Sequence, residues 1–327
     1  MTNKEHISIQ AAAERLAAAD DIIVLTHKNP DGDTIGSALA ITAALRQIGK
    51  RCRAVWEGEL RARYNPLTEG YTDEQFEPKF VLAVDTAGEH LLPDAVRAEF
   101  GGRVDLAIDH HGTNTGYAAQ TVVNAEASCC CEIILAVMEA FGAELTPYIG
   151  SCLYVGLATD TGCFKFSNTT PASHQLAARL AHAGVDIAYL NDLFFERKSR
   201  SRVELERRVL AGMEFTSRGR ICIITVTREM LLQTGCNESD LEDLSGLPRS
   251  IEGVECGITL REQENGNFKI SVRTKELDAA AICASFGGGG HLRAAGCECS
   301  GTPFDLKVAL VARVERALAE AAAEKTE

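Results

Sequence analysis

The sequence predicts an α/β protein built from a mostly parallel sheet with helices on both faces, followed by a smaller C-terminal α/β domain, with a helical linker between them. Three observations carry this. In the first part of the chain, short runs that are apolar at every position alternate with segments of helical period, the pattern of strands covered on both faces. A segment dense in both charge signs and free of Pro and Gly, "ERKSRSRVELE" from Glu196 to Glu206, then reads as a helix with solvated faces. Beyond Gly219 the period changes to alternating strands with short connections. The expected boundaries are 1–190, 191–217 and 218–327.

Ser8 can cap a first helix running to Ala19, and Ile22–Leu25 reads as a short buried strand. A turn, "THKNPDGDTIGS", leads into a helix over Thr34–Ile48 that Gly49 stops. Arg51–Trp56 gives a second strand. The polar stretch with Pro66, Gly70 and Pro78 has no clear period. "FVLAVD" ends at Asp85, and "VDLAIDHH" repeats that form and ends at Asp109. Helices are expected over Ala127–Phe141, Pro147–Ala158 and Pro171–His182. "RICIITVT", "GVECGITLRE" and "NFKISVRT" are the strands of the second domain, which a long helix from Phe304 closes.

A chain of 327 residues that is 46% hydrophobic and 24% charged is ordinary for a globular protein. Its net charge of −13 argues against coating long duplex nucleic acid, which requires a broad basic surface, but leaves room for small phosphorylated ligands. No long uncharged apolar stretch and no export signal stand out, so the expected location is the cytoplasm, without a membrane partner. The twelve cysteines contain no CxxC pair, and Cys129-Cys130-Cys131 and Cys297/Cys299 lack zinc-site spacing; they read as buried, reduced residues.

The chemistry gathers at strand ends. Leu25 leads to His27, Asp31 and Asp33, Val84 to Asp85, and Ile108 to Asp109-His110-His111; in a parallel sheet these ends share the edge where open α/β sheets bind ligands. Asp160, at the boundary of an apolar segment and a glycine-containing loop, can join them. Carboxylates brought this close repel one another unless cations compensate, and no lysine cluster is interleaved with them. The donor set is rich in carboxylate oxygen, with imidazole and no thiolate, and suits Mn²⁺ or Mg²⁺ better than structural zinc. Two ions sharing a bridging aspartate would use all of these groups.

His27-x3-Asp31-x-Asp33, Asp85, Asp109-His110-His111 and Asp160 resemble, in order, the four motifs of the DHH phosphoesterase superfamily. "FGGGGHLRAAG", Phe286 to Gly296, resembles the glycine-rich motif of the associated DHHA1 domain. The compact length is similar to the branch of bifunctional oligoribonuclease/pAp phosphatases (nanoRNases). The resemblance implies two divalent ions, Mn²⁺ before Mg²⁺, with His27 and Asp31 on the first, Asp33, His110 and Asp160 on the second, and Asp85 bridging. It gives Asp109 the role of orienting a histidine and turns His111 toward the substrate. "ASCCCEII" departs from the Ser/Thr-rich form of the family at that helix start.

Gly287, Gly288, Gly289 and Gly290 let the backbone approach an anion closely and present N–H groups to it, and His291 and Arg293 follow at once. Arg273 ends a predicted strand, and the resemblance places Arg273 and His291 at a substrate phosphate. A cleft between the two domains is expected to measure a short substrate. The implied activity is hydrolysis of short single-stranded oligonucleotides to mononucleotides, and of pAp to AMP and phosphate, by a metal-activated water with His111 as acid. The rival is a phosphodiesterase for signalling dinucleotides such as c-di-AMP or pApA. A homodimer is the assembly left open.

Overall fold

The computed structural model describes residues 5–241 and 244–324. Two compact units divide the chain, one ending at Arg197 and one beginning at Lys198.

The first unit is built on a six-stranded, fully parallel sheet of β1 (Glu5–His6), β2 (Ile22–Leu25), β3 (Cys52–Val55), β4 (Phe80–Val84), β5 (Leu106–Asp109) and β6 (Gln120–Val123), in the order β1-β6-β5-β4-β2-β3. Side chains alternate between faces along a strand, and the core divides accordingly. Ile22, Val24, Leu82, Val84, Leu106 and Ile108 pack with the helices Ile9–Ala18, Gly32–Gln47, Cys130–Ala140 and Pro147–Asp160. Ile23, Leu25, Val81, Ala83 and Ala107 pack on the other face with Leu92 and with Phe100 of the helix Asp94–Phe100. Both faces are therefore closed, which is why these strands are apolar at every position. Because β5, β4 and β2 are parallel neighbours, the residues that follow Leu25, Val84 and Ile108 emerge on one edge.

In the first unit two features differ from the sequence reading, and the stretch without a clear period remains without a long element. The strands β1 and β6 were not anticipated: one has two residues and the other is half polar, so neither offers a period to detect. The stretch after β3 holds only short helical turns, Ala62–Tyr64 and Asn65–Thr68. The helix expected from Ala127 starts at Cys130, with Cys129 extended at φ −159° before it.

The second unit holds β7 (Glu214–Thr216), β8 (Ile221–Val226), β9 (Cys256–Glu262), β10 (Phe268–Thr274), β11 (Gly289–His291) and β12 (Ala294–Cys299), in the order β11-β12-β10-β9-β8-β7. Only β8 and β9 pair in parallel; the other pairs are antiparallel. The closing helix Pro303–Glu324 sets Leu306, Leu310, Val314 and Leu318, spaced four apart, on one face of the sheet. The charged segment is helical over Arg200–Ala211 and lays Leu205 and Val209 against Ile224 and Val226. Ten of the twelve cysteines are buried; Cys163 and Cys299 are partly exposed. Among the described residues no helix is long and apolar enough to cross a membrane.

Candidate metal centre

The turn after β2 places three donors by local hydrogen bonding. Asp31 caps the helix Gly32–Gln47, its Oδ1 accepting from Asp33 N and Thr34 N at 3.1 Å each. That cap fixes the start of the helix, so Asp33, in its first turn, points inward and is fully buried. His27 Nε2 lies 4.0 Å from Asp31 Oδ1 and 3.8 Å from Asp85 Oδ2.

Asp85 follows β4 with φ of +50°, a left-handed backbone that a non-glycine residue adopts only at a cost. Its two oxygens face different neighbours. Oδ2 is on the His27 side, while Oδ1 is 3.6 Å from His110 Nε2 and, buried, has no hydrogen-bond partner among the described residues. His110 Nε2 is also 3.3 Å from Asp160 Oδ2 and 3.8 Å from Asp33 Oδ2, and its Nδ1 lies 3.3 Å from Ala127 O, which turns Nε2 toward the carboxylates. Two groups of donor atoms thus lie within 4.8 Å of one another, His27/Asp31/Asp85 and Asp33/His110/Asp160, and a third comprises Asp85, His110 and His111.

The electrostatics of this cluster call for cations. Burial, then the charges of Asp33 and Asp31, push the Asp85 carboxyl well above the usual carboxylate range. Burial and the same two neighbours push Asp160 up to about 9, and burial raises Asp33. Burial lowers His27. An orphaned buried oxygen among carboxylates that cannot all ionise, with oxygen and imidazole as the donors, fits divalent metal.

His111, a member of the third group, makes its shortest side-chain contact outside it. Its Nδ1 is 2.8 Å from Asp109 Oδ1, against 3.6 Å to Asp85 Oδ1. Asp109 Oδ2 accepts from Asn114 Nδ2 at 2.6 Å, and its Oδ1 also accepts from the main-chain N–H groups of His110 and His111. Burial works to raise Asp109, but the hydrogen bonds from His111 and Asn114 outweigh it and hold the carboxyl low. The hydrogen bond that His111 donates to Asp109 in turn raises His111.

Four supporting contacts escaped sequence reasoning. The Thr34 hydroxyl meets three donors at once, 2.6 Å from Asp85 Oδ2, 2.5 Å from His27 Nε2 and 3.1 Å from Asp31 Oδ1. Asn114 is the second, and the N–H groups at the start of the helix Cys130–Ala140 are the third: Cys130 N donates to Asp33 Oδ2 at 2.6 Å and Cys131 N to Asp33 Oδ1 at 3.0 Å. The fourth is Gly156, where a Cβ would lie 2.3 Å from Cys131 Sγ and 2.7 Å from Asp33 Oδ1. Only the regular i+3 spacing of helix residues could have signalled Thr34; the rest depend on the tertiary fold. Gly156→Ala is expected to displace Asp33, lowering turnover about 100-fold and stability by about 1–3 kcal/mol. Steady-state rates and thermal unfolding check this, and a wild-type rate would remove Gly156 from the account.

In the second unit the glycine run is part of a hairpin. Gly289 pairs with Gly296 and Gly290 with Ala295, and a Cβ on Gly288 would lie 2.2 Å from Gly296 O, so close strand approach accounts for part of this run. Gly287 precedes the strand at φ +74°. Arg273, Gly289 and Gly290 line a groove of about 520 Å³ together with Arg261, Lys269 and Ser271, which were not anticipated. Burial, then Arg249, lowers the Arg273 guanidinium. His291 is exposed on the hairpin, and Arg293 donates to Leu277 O at 3.0 Å.

Residues 21–157 match the N-terminal domain of the DHH family, and residues 220–324 match the DHHA1 domain. The bifunctional oligoribonuclease and PAP phosphatase NrnA of Thermus thermophilus is 34% identical over 301 residues, 91% of this chain and 90% of that protein. The chain belongs to the DHH/DHHA1 family. This DHH protein is a phosphoester hydrolase, and DHH phosphoesterases are metal-dependent. The NrnA of Bacillus subtilis is 25% identical over 282 residues, covering 85% of this DHH chain and 88% of its own. An exopolyphosphatase-related protein from Bacteroides fragilis shares the DHH fold with a TM-score of 0.81 at 23% identity, over 97% of this chain and 98% of that one.

Proposed function

We propose that the protein hydrolyses short oligonucleotides to mononucleotides and pAp to AMP and phosphate, using two divalent ions, Mn²⁺ before Mg²⁺. The observation that carries the reading is Asp85, whose two oxygens face separate donor groups, His27 with Asp31 on one side and Asp33, His110 and Asp160 on the other. The substrate class is supported by the NrnA relatives, named as oligoribonucleases and PAP phosphatases, which align with 91% and 85% of this chain. The metal ions supply activation of water and neutralisation of phosphate charge.

The chain's own residues supply the rest. Asp85, strained at the end of β4, presents a carboxylate to both groups. Asp109, braced by Asn114, holds His111 Nδ1 and leaves Nε2 to carry a proton to the leaving oxygen. Arg273 and the amides of Gly289 and Gly290 take a phosphate in the groove of the second unit, with Arg293 on the same hairpin adding positive charge and His291 a hydrogen-bonding group. Gly287 and Gly288 shape that hairpin. A net charge of −13 is consistent with short substrates, not long duplexes.

Rates on pAp, a trinucleotide, pApA and c-di-AMP test the reading, with wild type and Asp85→Ala compared under matched Mn²⁺ and Mg²⁺. The expected order puts pAp and the short oligonucleotides ahead of c-di-AMP, with activity lost on chelation and restored best by Mn²⁺. Preference for the cyclic substrate would transfer the protein to the signalling-dinucleotide class.

A further inference from the structure

The turn after Asp160 is unusual in its backbone. Gly162, Cys163 and Phe164 have φ of 56°, 55° and 63°, three successive residues in the left-handed region, two of them with side chains that disfavour it. The turn is nonetheless fixed: Cys163 N donates to Ala158 O at 2.6 Å, and Lys165 N and Phe166 N both donate to Thr161 O at 2.9 Å. Asn168 Nδ2 ties its far end to Asp160 O at 3.1 Å and Ser128 O at 3.0 Å. Phe164 stacks on His174 at 5.0 Å, which anchors the middle.

This strained, pinned turn holds Phe166 on the surface. A Cβ on Gly162 would lie 2.4, 2.6 and 2.6 Å from the Cζ, Cε1 and Cε2 atoms of Phe166. Near-equal distances to three ring atoms put Gly162 against the face of the ring, not its edge. The side chain is still 50% exposed, so a large part of the ring stays open to water. A phenyl ring six residues past Asp160, with one face seated on the backbone of Gly162, is a ready platform for a second planar ring.

Resting on the nucleotide substrates proposed above, we infer that Phe166 stacks on the base of the nucleotide whose phosphate is cleaved, making it a determinant of the preference for base-bearing over base-less phosphate esters. The strained backbone at Cys163 and Phe164 then has a role: it lets Gly162, two residues past Asp160, seat the ring. Stacking is tolerant of base identity, which suits an enzyme that must accept any short sequence.

The test compares pAp with ribose 3′,5′-bisphosphate, which keeps both phosphates and lacks the base. For Phe166→Ala, the preference for pAp over the base-less compound is expected to fall about tenfold, with the loss in KM and not in kcat. Phe166→Trp should restore the preference and Phe166→Leu, which keeps apolar bulk without a planar face, should not. Calorimetric binding of AMP to the same four proteins gives a readout that needs no turnover, and about a tenfold weaker affinity is expected for the Ala and Leu variants. An unaltered preference and unaltered AMP affinity in Phe166→Ala would overturn the inference, as would equal losses on both compounds. Wild-type inactivity toward pAp would instead overturn the proposed function, while AMP binding would still decide the role of Phe166.

Discussion

Asp85→Asn is expected to cut phosphoesterase turnover by about 10³-fold or more, while raising the unfolding temperature of the metal-free protein. The two signs have one cause. Asp85 is buried, one of its oxygens has no hydrogen-bond partner among the described residues, and its carboxyl is pushed up first by burial and then by Asp33 and Asp31. Asparagine keeps the shape and can still accept from Thr34, but carries no charge, so the repulsion is relieved without opening a cavity. Each kcal/mol relieved should raise the midpoint by about 2–4 °C in a domain of this size. With Mn²⁺ the order reverses, because the wild type gains binding energy that the variant largely loses. Scanning calorimetry with and without Mn²⁺, alongside rates, reads both signs; a metal-free variant less stable than wild type would contradict the account.

The second large effect is expected at His111. Asp109 both orients and raises this imidazole, a pairing suited to a group that must hold a proton near neutral pH. His111→Ala should lower kcat by about 10²–10⁴-fold on substrates with a poor leaving oxygen. A leaving group that needs no proton, such as p-nitrophenolate, should suffer much less. Mn²⁺ stoichiometry should be unchanged, since Nδ1 of His111 is engaged by Asp109 and not by the two donor groups centred on His27 and His110. Equal losses on both leaving groups would remove the proton-transfer role, and lost metal would reassign His111 as a ligand.

The parts of the fold that could be read from the sequence were those where one physical signal dominates. Ile22–Leu25, Phe80–Val84 and the first three residues of Leu106–Asp109 are apolar at every position because both sheet faces are covered, and that burial is written in composition. The convergence of His27, Asp85 and His110 followed from parallel strand ends alone. Gln120–Val123 was opaque because a short, half-polar strand has no period of its own, and its place comes from pairing with β5. The same limit applies within the site. Thr34 reads as one more helix residue until Asp85, 51 positions away, supplies its partner. The glycine run reads as a backbone open to an anion until β12 places Gly289 and Gly290 in an edge strand in register with Gly296 and Ala295. Local period carries local structure; a partner distant in sequence leaves no trace in either segment.

The Asp33 carboxylate is held at 2.6 and 3.0 Å by the main-chain amides of Cys130 and Cys131, and the Cys131 thiol adds only a longer contact of 3.9 Å to Asp33 O. Each residue except proline carries that amide, so the grip survives almost any exchange of side-chain chemistry at the helix start. What is constrained is room: these cysteines are fully buried, and Gly156 backs directly onto Cys131. Three thiols can therefore occupy this stretch without loss of the main-chain grip on Asp33, while bulk at Cys131 and proline at Cys130 or Cys131 would break it.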